Sequence, residues 1–199
     1  RNIEGFARFL SVVASFSTLH VDFQKIANQS SIPAQSAKRY FEIMEDTLLI
    51  KRAEPFSKSK TKRLVQHPRF FFFDCGVLNG LLENFSASDD RKGYLFENLL
   101  FSQLHASAVA NTNVIRISNY RTEHGAEVDF IVEYEGKTWA IEAKSNDQIG
   151  KRDLSGLRSF KDFFGKRCEL VITFPEGRIR EVEGISLMPW QTLLKEMGL

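Results

Sequence analysis

The sequence predicts an α/β protein of the α+β kind, in which a helical first half precedes a mixed central sheet flanked by helices. Apolar residues recur at helical spacing through the first 46 residues, and apolar and polar residues alternate in three consecutive segments between residues 113 and 145. A helical pattern at residues 153–164 then separates the third segment from a further β-type segment at residues 168–174. This order of elements is typical of a small mixed sheet with helices on two faces.

Composition limits the classes of protein to consider. With 199 residues, of which 43% are apolar, the chain is long enough for one large domain or two small ones. No stretch approaches the roughly 20 uncharged apolar residues of a membrane-spanning helix, so we expect no membrane insertion. A net charge of +2 is too small for the whole chain to be called a nucleic-acid binder, and its basic residues cluster between residues 51 and 63.

The chain begins with Arg1 rather than Met, and residues 3–16 follow an amphipathic helix pattern rather than that of a signal peptide. We therefore expect a piece of a longer protein. Cys75 and Cys168 lie far apart in apolar surroundings, without the spacing of a zinc site. They indicate buried thiols in a reducing compartment, and we expect a cytoplasmic protein.

Two short helices are predicted between residues 22 and 46. Asp22 is placed to cap the first helix, and Pro33 suits the first position of the second, which runs to about Asp46. The second helix would bury an apolar stripe of Ala37, Tyr40, Phe41 and Met44. Its outward face would carry polar and basic residues, namely Gln35, Lys38, Arg39 and Glu42. The pair matches helix-turn-helix geometry.

The segments that follow extend this motif to a winged helix. TLLIKRAE at residues 47–54 and KRLVQHP at 62–68 are typical of strands flanking a polar loop, and the run from Phe70 to Phe73 indicates a buried strand rather than a base-stacking surface. The loop would be the wing. The candidate nucleic-acid-binding residues are Lys38, Arg39, Lys58, Lys60, Lys62 and Arg63. A solvated hairpin tip without a binding role is the alternative.

A boundary between domains is predicted at residues 87–93, ASDDRKG, which are typical of a linker or exposed loop. This gives a winged-helix domain at residues 1–88 and a second domain at residues 89–199. The second opens with a helix over about residues 93–108 and closes with one over about 189–197. Between them, residues 150–167 would form a right-handed crossover between roughly parallel strands.

Two acids in the second domain are placed to meet on neighbouring strands. Asp129 and Glu142 lie 13 residues apart across a predicted hairpin, and adjacent strands are about 4.8 Å apart. Lys144 follows Glu142 by two residues and so shares its face, while Glu97 lies on the preceding helix. Carboxylates that hold Mg²⁺ and a cation near the attacking water are what phosphodiester hydrolysis needs. The alternative is an exposed Glu-x-Lys pair without a role.

These segments also carry a resemblance to a known family. YLFENLL at residues 94–100, NYRTEHGAEVDFIVE at 119–133 and AIEAKS at 140–145 resemble the PD-(D/E)XK, or restriction-endonuclease-like, superfamily, although Val128 stands where the superfamily's name has Pro. With the winged helix ahead of it, nearly the whole chain resembles the C-terminal region of prokaryotic AAA-type ATPases that end in a nuclease-like domain.

The resemblance implies an active site and partners. Glu97, Asp129, Glu142 and Lys144 would be catalytic, and Asp129, Glu142 and Glu97 would hold Mg²⁺ or Mn²⁺. DNA and the upstream ATPase domain of the same protein are the implied partners, and the resemblance is also compatible with an oligomer. The chain has no GxxxxGK[ST] motif, so we expect no ATP site in it.

The sequence thus supports two functions of different classes. The first is a metal-dependent DNA endonuclease fed by a winged helix, and the second is a non-catalytic module of the same fold that docks DNA or protein. Two further residues bear on the choice. Arg121 is expected to pair with Glu123 or Glu127 rather than a phosphate, and His124 is expected to be an exposed loop residue, with a proton carrier as the alternative.

Overall fold

A computed structural model of the chain describes residues 3–56 and 67–199. These residues form seven α-helices and eight β-strands, and the predicted α/β class is confirmed. They divide into a first unit of residues 3–53 and 67–102 and a second of residues 54–56 and 103–199. None of the helices in these ranges combines the length and the apolar character needed to cross a bilayer.

The first unit begins with three helices, α1 (Ile3–Ser15), α2 (Phe23–Ser30) and α3 (Ala34–Asp46). Asp22 caps α2 as predicted, because its carboxylate accepts hydrogen bonds from the N–H groups of Gln24 at 2.9 Å and Lys25 at 3.1 Å. Pro33 is the N-cap of α3 and stands one residue before the position predicted for it.

Aromatic rings join the three helices. Phe41 of α3 packs edge-on against Phe9 of α1 and Phe23 of α2, with ring centroids 5.4 and 5.0 Å apart. Three members of the predicted apolar stripe are buried, and Tyr40 is half-buried. The four residues predicted to face outward are exposed: Gln35, Lys38, Arg39 and Glu42. The amphipathic pattern of α3 is confirmed.

Two antiparallel strands follow the three helices, β1 (Ile50–Pro55) and β2 (Arg69–Phe72), with Ile50 opposite Phe72. β1 begins three residues later than predicted. Phe70, Phe71 and Phe72 are buried as expected, whereas Phe73 is 52% exposed. The predicted wing and its four basic residues, Lys58, Lys60, Lys62 and Arg63, lie outside the described residues.

The segment predicted as a linker is helical instead. A helix that the sequence did not indicate, α4 (Cys75–Leu81), is followed by α5 (Asp89–Ala110), which begins four residues earlier than predicted. Arg91 is only 4% exposed, and its guanidinium donates to the backbone carbonyls of Asn84 and Ser86 and to the side chain of Asn79. The charges of this segment therefore begin a helix, and the loop expected at residues 89–93 was wrong.

The second unit is built on a mixed sheet of β3 (Arg116–Arg121), β4 (Glu127–Tyr134), β5 (Lys137–Ala143), β6 (Glu169–Phe174), β7 (Arg180–Val182) and β8 (Ile185–Pro189). The strand order is β3-β4-β5-β6-β8-β7, and the last two residues of β1 run parallel to β3. The first three strands are antiparallel, whereas β6 is parallel to both β5 and β8. The four predicted strands are confirmed; β7 and β8 were not predicted.

Local geometry explains the hairpin between β4 and β5. Glu135 and Gly136 have φ angles of 47° and 75°, which is the positive-φ pair that a two-residue hairpin turn requires. β5 and β6 pair in parallel, which confirms the predicted parallel strands on either side of the crossover, while its right-handed sense stays a prediction.

The crossover carries a 3₁₀ turn, Lys151–Leu154, and α6 (Ser155–Phe164); α7 (Trp190–Met197) ends the chain. Leu157 and Phe160 of α6 are fully buried in a core shared with Val128 and Ile131. Gly156 lets α6 lie this close to β4, because a Cβ at this position would stand 1.8 Å from the carbonyl oxygen of Glu127.

Candidate functional site

Three of the four predicted catalytic residues lie in the second unit, where β4 begins and β5 ends. The ladder between these strands runs from Tyr134 opposite Lys137 to Phe130 opposite Ile141 and stops one residue short of Asp129. Asp129 is 8% exposed, which is low for a carboxylate. Burial of this kind requires hydrogen-bond partners, and the neighbouring strand supplies one.

The carboxylate of Asp129 is anchored by the end of β5. Its Oδ2 accepts a hydrogen bond from the backbone N–H of Ala143 at 2.9 Å. The side chain thereby takes the place that a backbone carbonyl of β4 would occupy if the ladder continued. A charge-assisted bond of this kind orients the carboxylate over the segment that carries Glu142 and Lys144.

Lys144 lies between two acids. Its Nζ is 3.0 Å from Oε1 of Glu142 and 3.2 Å from Oδ1 of Asp153. Burial acts to lower the pKa of Lys144, but attraction to Glu142 and the hydrogen bond with it, supported by Asp153 and Asp129, raise the pKa above its ordinary value. Lys144 is therefore a firmly protonated ammonium group at neutral pH.

Asp153 is a member of this cluster that sequence reasoning missed. Its Oδ2 accepts a hydrogen bond from the N–H of Gly150 at 2.8 Å while Oδ1 holds Lys144. Burial acts to raise the pKa of Asp153, but the Gly150 N–H and the Lys144 ammonium lower it below its ordinary value. The available signal was an acid three residues after a glycine at the start of a helical pattern, which is a capping arrangement.

Glu97, the fourth predicted catalytic residue, lies on α5 within the first unit. There the guanidinium of Arg69 donates to its Oε2, and both side chains are largely shielded from solvent. Arg69 also donates to the carbonyl of Thr18 at 2.5 Å. A carboxylate opposite a buried arginine neutralises its charge, so the structure gives Glu97 a stabilising role in the first unit. Its role as a metal ligand stays a prediction.

The donor set of the second unit suits a hard cation. Asp129 and Glu142 supply carboxylate oxygens, and Mg²⁺ in proteins is commonly held by one or two carboxylates while it keeps several of its waters. Over residues 3–56 and 67–199, no group of three or more His, Cys, Asp and Glu side chains lies close enough to hold a metal. The residues present therefore fit a loosely held Mg²⁺ or Mn²⁺ better than a fully enclosed ion.

The remaining sequence candidates lie elsewhere. Lys38 and Arg39 are exposed on α3 in the first unit, as a surface contact with nucleic acid would require. Arg121 lies 3.8 Å from Glu127, which confirms the expected pairing. His124 is exposed in the turn between β3 and β4.

Comparison with known proteins identifies two regions of the chain. The model of a domain of unknown function, DUF4143, matches residues 92–193, and that of another, DUF8612, matches residues 1–88. The uncharacterized proteins Rv2008c of Mycobacterium tuberculosis and Mb2031c of Mycobacterium bovis are each 27% identical to the chain over 128 residues, which cover 60% of the chain and 27% of the relative. The chain thus spans about a quarter of their length. No solved structure matches it.

Proposed function

The chain belongs to the DUF4143 family, and from this premise we propose that its second unit is a nuclease-like domain that hydrolyses phosphodiester bonds of DNA with Mg²⁺ or Mn²⁺. One observation carries the proposal. Asp129 is held by the N–H of Ala143 beside Glu142 and Lys144, so two acids and a cation converge at the end of one strand. The region of the chain that the family model matches, residues 92–193, contains Asp129, Glu142 and Lys144.

In this mechanism Asp129 and Glu142 would hold the ion. When bound, the ion supplies charge to polarise the phosphate and to lower the pKa of a water molecule. Lys144 contributes a fixed positive charge near the phosphate oxygens, and because its pKa is raised it does not serve as a proton acceptor at neutral pH. Asp153 keeps the Lys144 side chain from turning wholly toward Glu142.

The proposal includes a setting in a longer protein. Domains of this family are common in the C-terminal regions of AAA-type ATPases. We infer that residues 1–88 form a winged helix that binds DNA through α3 and the basic residues that follow β1. The upstream ATPase of the same protein would then supply the nucleotide chemistry that this chain has no motif for.

A specific observation favours a second candidate, a non-catalytic docking module with a nuclease-like fold. Lys144 is engaged by Glu142 and Asp153 together, and Glu97 is engaged by Arg69. Charges neutralised within the protein suit a structural role for the cluster. This module would bind DNA or protein without cleaving it.

A cleavage assay separates the two candidates. Supercoiled plasmid is incubated with the purified chain in Mg²⁺ or Mn²⁺, and the wild type is compared with Asp129→Asn and Glu142→Gln. Glu133→Gln is the control, since Glu133 lies on β4 as Asp129 does, four residues further along the strand, and forms a surface ion pair with Arg116 at 3.7 Å. We expect both site variants to lose roughly 100-fold or more of the nicking rate, the scale on which a charge-stabilising group acts, and the control to retain it.

Two results would decide against catalysis. Equal nicking by the wild type and both site variants would show a contaminating nuclease. An inactive wild type that still binds DNA would favour the docking module. Calorimetric titration with Mn²⁺ adds an independent reading, because Asp129→Asn should weaken Mn²⁺ binding and Glu133→Gln should not.

A further inference from the structure

The 3₁₀ turn Lys151–Leu154 lies next to the candidate site. β5 ends at Ala143, and the chain reaches the turn seven residues after Lys144. Asp153 of the turn contacts the Nζ of Lys144 at 3.2 Å. This ion pair fixes the position of the turn relative to the site.

Other contacts hold the turn and the loop before it. Leu154 is 2% exposed in the core under α6, and Ile149 packs against the same core. Arg180 donates to the backbone carbonyl of Asp147 and lies 3.4 Å from its carboxylate. Gly177 packs so closely that a Cβ there would stand 2.7 Å from the Cβ of Asp147. These contacts anchor the turn to the fold, so little conformational entropy would be lost on ligand binding.

The turn presents positive charge that no acid among the described residues neutralises. Lys151 and Arg152 are exposed, and neither takes part in any ion pair within the described parts of the chain. The two acids of the same segment are both engaged, Asp147 by Arg180 and Asp153 by Lys144. Two exposed cations thus directly precede Asp153, the acid of the turn that contacts Lys144.

We propose that Lys151 and Arg152 bind the phosphate backbone of a nucleic acid and that Asp153 holds them in register with Lys144. The inference rests on the proposed function, since it adds residues that would hold the substrate backbone next to the same site. Lysine and arginine are the usual partners of backbone phosphates, and such contacts position a duplex without reading its sequence. These residues are distinct from those expected on α3 and in the wing.

The chain offers a matched control for this pair. Lys166 and Arg167 repeat the Lys-Arg dipeptide between α6 and β6, and both are exposed. They precede the start of β6 at Glu169, whereas Lys151 and Arg152 follow the end of β5, and these two strands are parallel. The two pairs therefore stand at opposite ends of the same strands. Arg167 is 3.8 Å from Glu169, a loose surface pair.

The test measures binding without cleavage. Anisotropy of a labelled duplex DNA is titrated with the full chain in EDTA at several salt concentrations, using the wild type, Lys151→Gln/Arg152→Gln and Lys166→Gln/Arg167→Gln. A plot of log K against log salt has a negative slope, and we expect it to be shallower by about 1.8 in the first variant, which is about 0.9 for each of two lost phosphate contacts. In the second variant we expect the wild-type slope. Thermal melts confirm that both variants fold.

Several results would overturn the inference. These are a wild type that does not bind DNA, an unchanged slope in the Lys151→Gln/Arg152→Gln variant, and equal losses in both variants, which would indicate nonspecific charge. A loss of binding to phosphatidylserine vesicles without a loss on DNA would assign the pair to a membrane surface instead. The proposed function can fail independently of this inference. If the wild type does not nick plasmid but Lys151→Gln/Arg152→Gln still lowers the salt dependence of DNA binding as expected, nuclease activity is contradicted and phosphate binding by the pair is supported.

Discussion

Asp129 of β4 accepts a hydrogen bond from the backbone N–H of Ala143 in β5 at 2.9 Å, so that a side chain continues the pairing where the backbone ladder has ended. The bond joins structure to chemistry. It satisfies a buried donor of the sheet, and it also fixes the acid that we propose to hold a metal ion. The two roles can be separated, because one needs an acceptor oxygen and the other needs a negative charge.

Asp129→Ala should destabilise the second unit, and Asp129→Asn should do so much less. Alanine leaves the N–H of Ala143 buried without its acceptor, at a cost of about 1–3 kcal/mol, whereas asparagine keeps an oxygen in place. Both tryptophans of the chain, Trp139 and Trp190, lie in the second unit, so urea unfolding followed by tryptophan fluorescence reports on it. Equal stability of the two variants would contradict this role for the bond.

The sequence predicts this part of the site well because strand geometry carries it. Residues two apart on a strand share a face, so Glu142 and Lys144 could be placed together, and a tight hairpin could bring Asp129 near them. Asp153 could not be placed in the same way. Its contact with Lys144 depends on how the loop of residues 145–150 folds back, and the sequence period carries no information on that path.

In the fold, too, some elements could be predicted from the sequence and others could not. Long periodic segments such as α3, β4 and β5 were predicted to within three residues. The short β7 and β8 were missed, since strands of three and five residues show too little alternation to stand out. The charged start of α5 was misread because Arg91 is buried by neutral oxygen acceptors, which a pattern of charges does not indicate.

Glu97→Ala should destabilise the first unit through Arg69. Removing the carboxylate leaves a guanidinium that is almost wholly buried without its counter-charge, and breaking such a pair costs about 3–5 kcal/mol. The paired change Arg69→Met/Glu97→Leu should recover most of the loss, because it removes both charges. Hydrogen exchange of amides in β2 and α5, resolved by mass spectrometry, provides the measurement.

The Glu97 experiment also tests the role that the resemblance implies. A residue that serves only as a metal ligand would leave amide exchange in the absence of metal unchanged when it is replaced by alanine. Unaltered protection in Glu97→Ala would therefore contradict the stabilising role and favour the catalytic one.

Gly156→Ala should disturb the packing of α6 on β4. The new Cβ would stand 1.8 Å from the carbonyl oxygen of Glu127, which belongs to the backbone and cannot turn aside. We expect the free energy of unfolding to fall by about 1–3 kcal/mol, the usual cost of overpacking. Gly93→Ala on α5 is the control, since its added Cβ would meet nothing within 4 Å apart from its chain neighbours and the backbone of its own helix, and it should be neutral or stabilising by up to about 1 kcal/mol. Equal urea midpoints for Gly156→Ala and the wild type would contradict the contact.

Asp153 should make the stability of the second unit depend on acid. Its folded pKa is lowered, so the stabilisation is fully present above the unfolded value of about 3.9 and is lost as the pH falls through the folded pKa. Asp153→Asn should therefore be less stable than the wild type at pH 7, and this difference in stability should close as the pH falls through the lowered pKa of Asp153. The comparison uses urea midpoints from tryptophan fluorescence, with Asp162→Asn, an exposed acid on α6, as a control without a gap. A gap that persists unchanged at low pH would show that the ion pair with Lys144 does not provide the stabilisation.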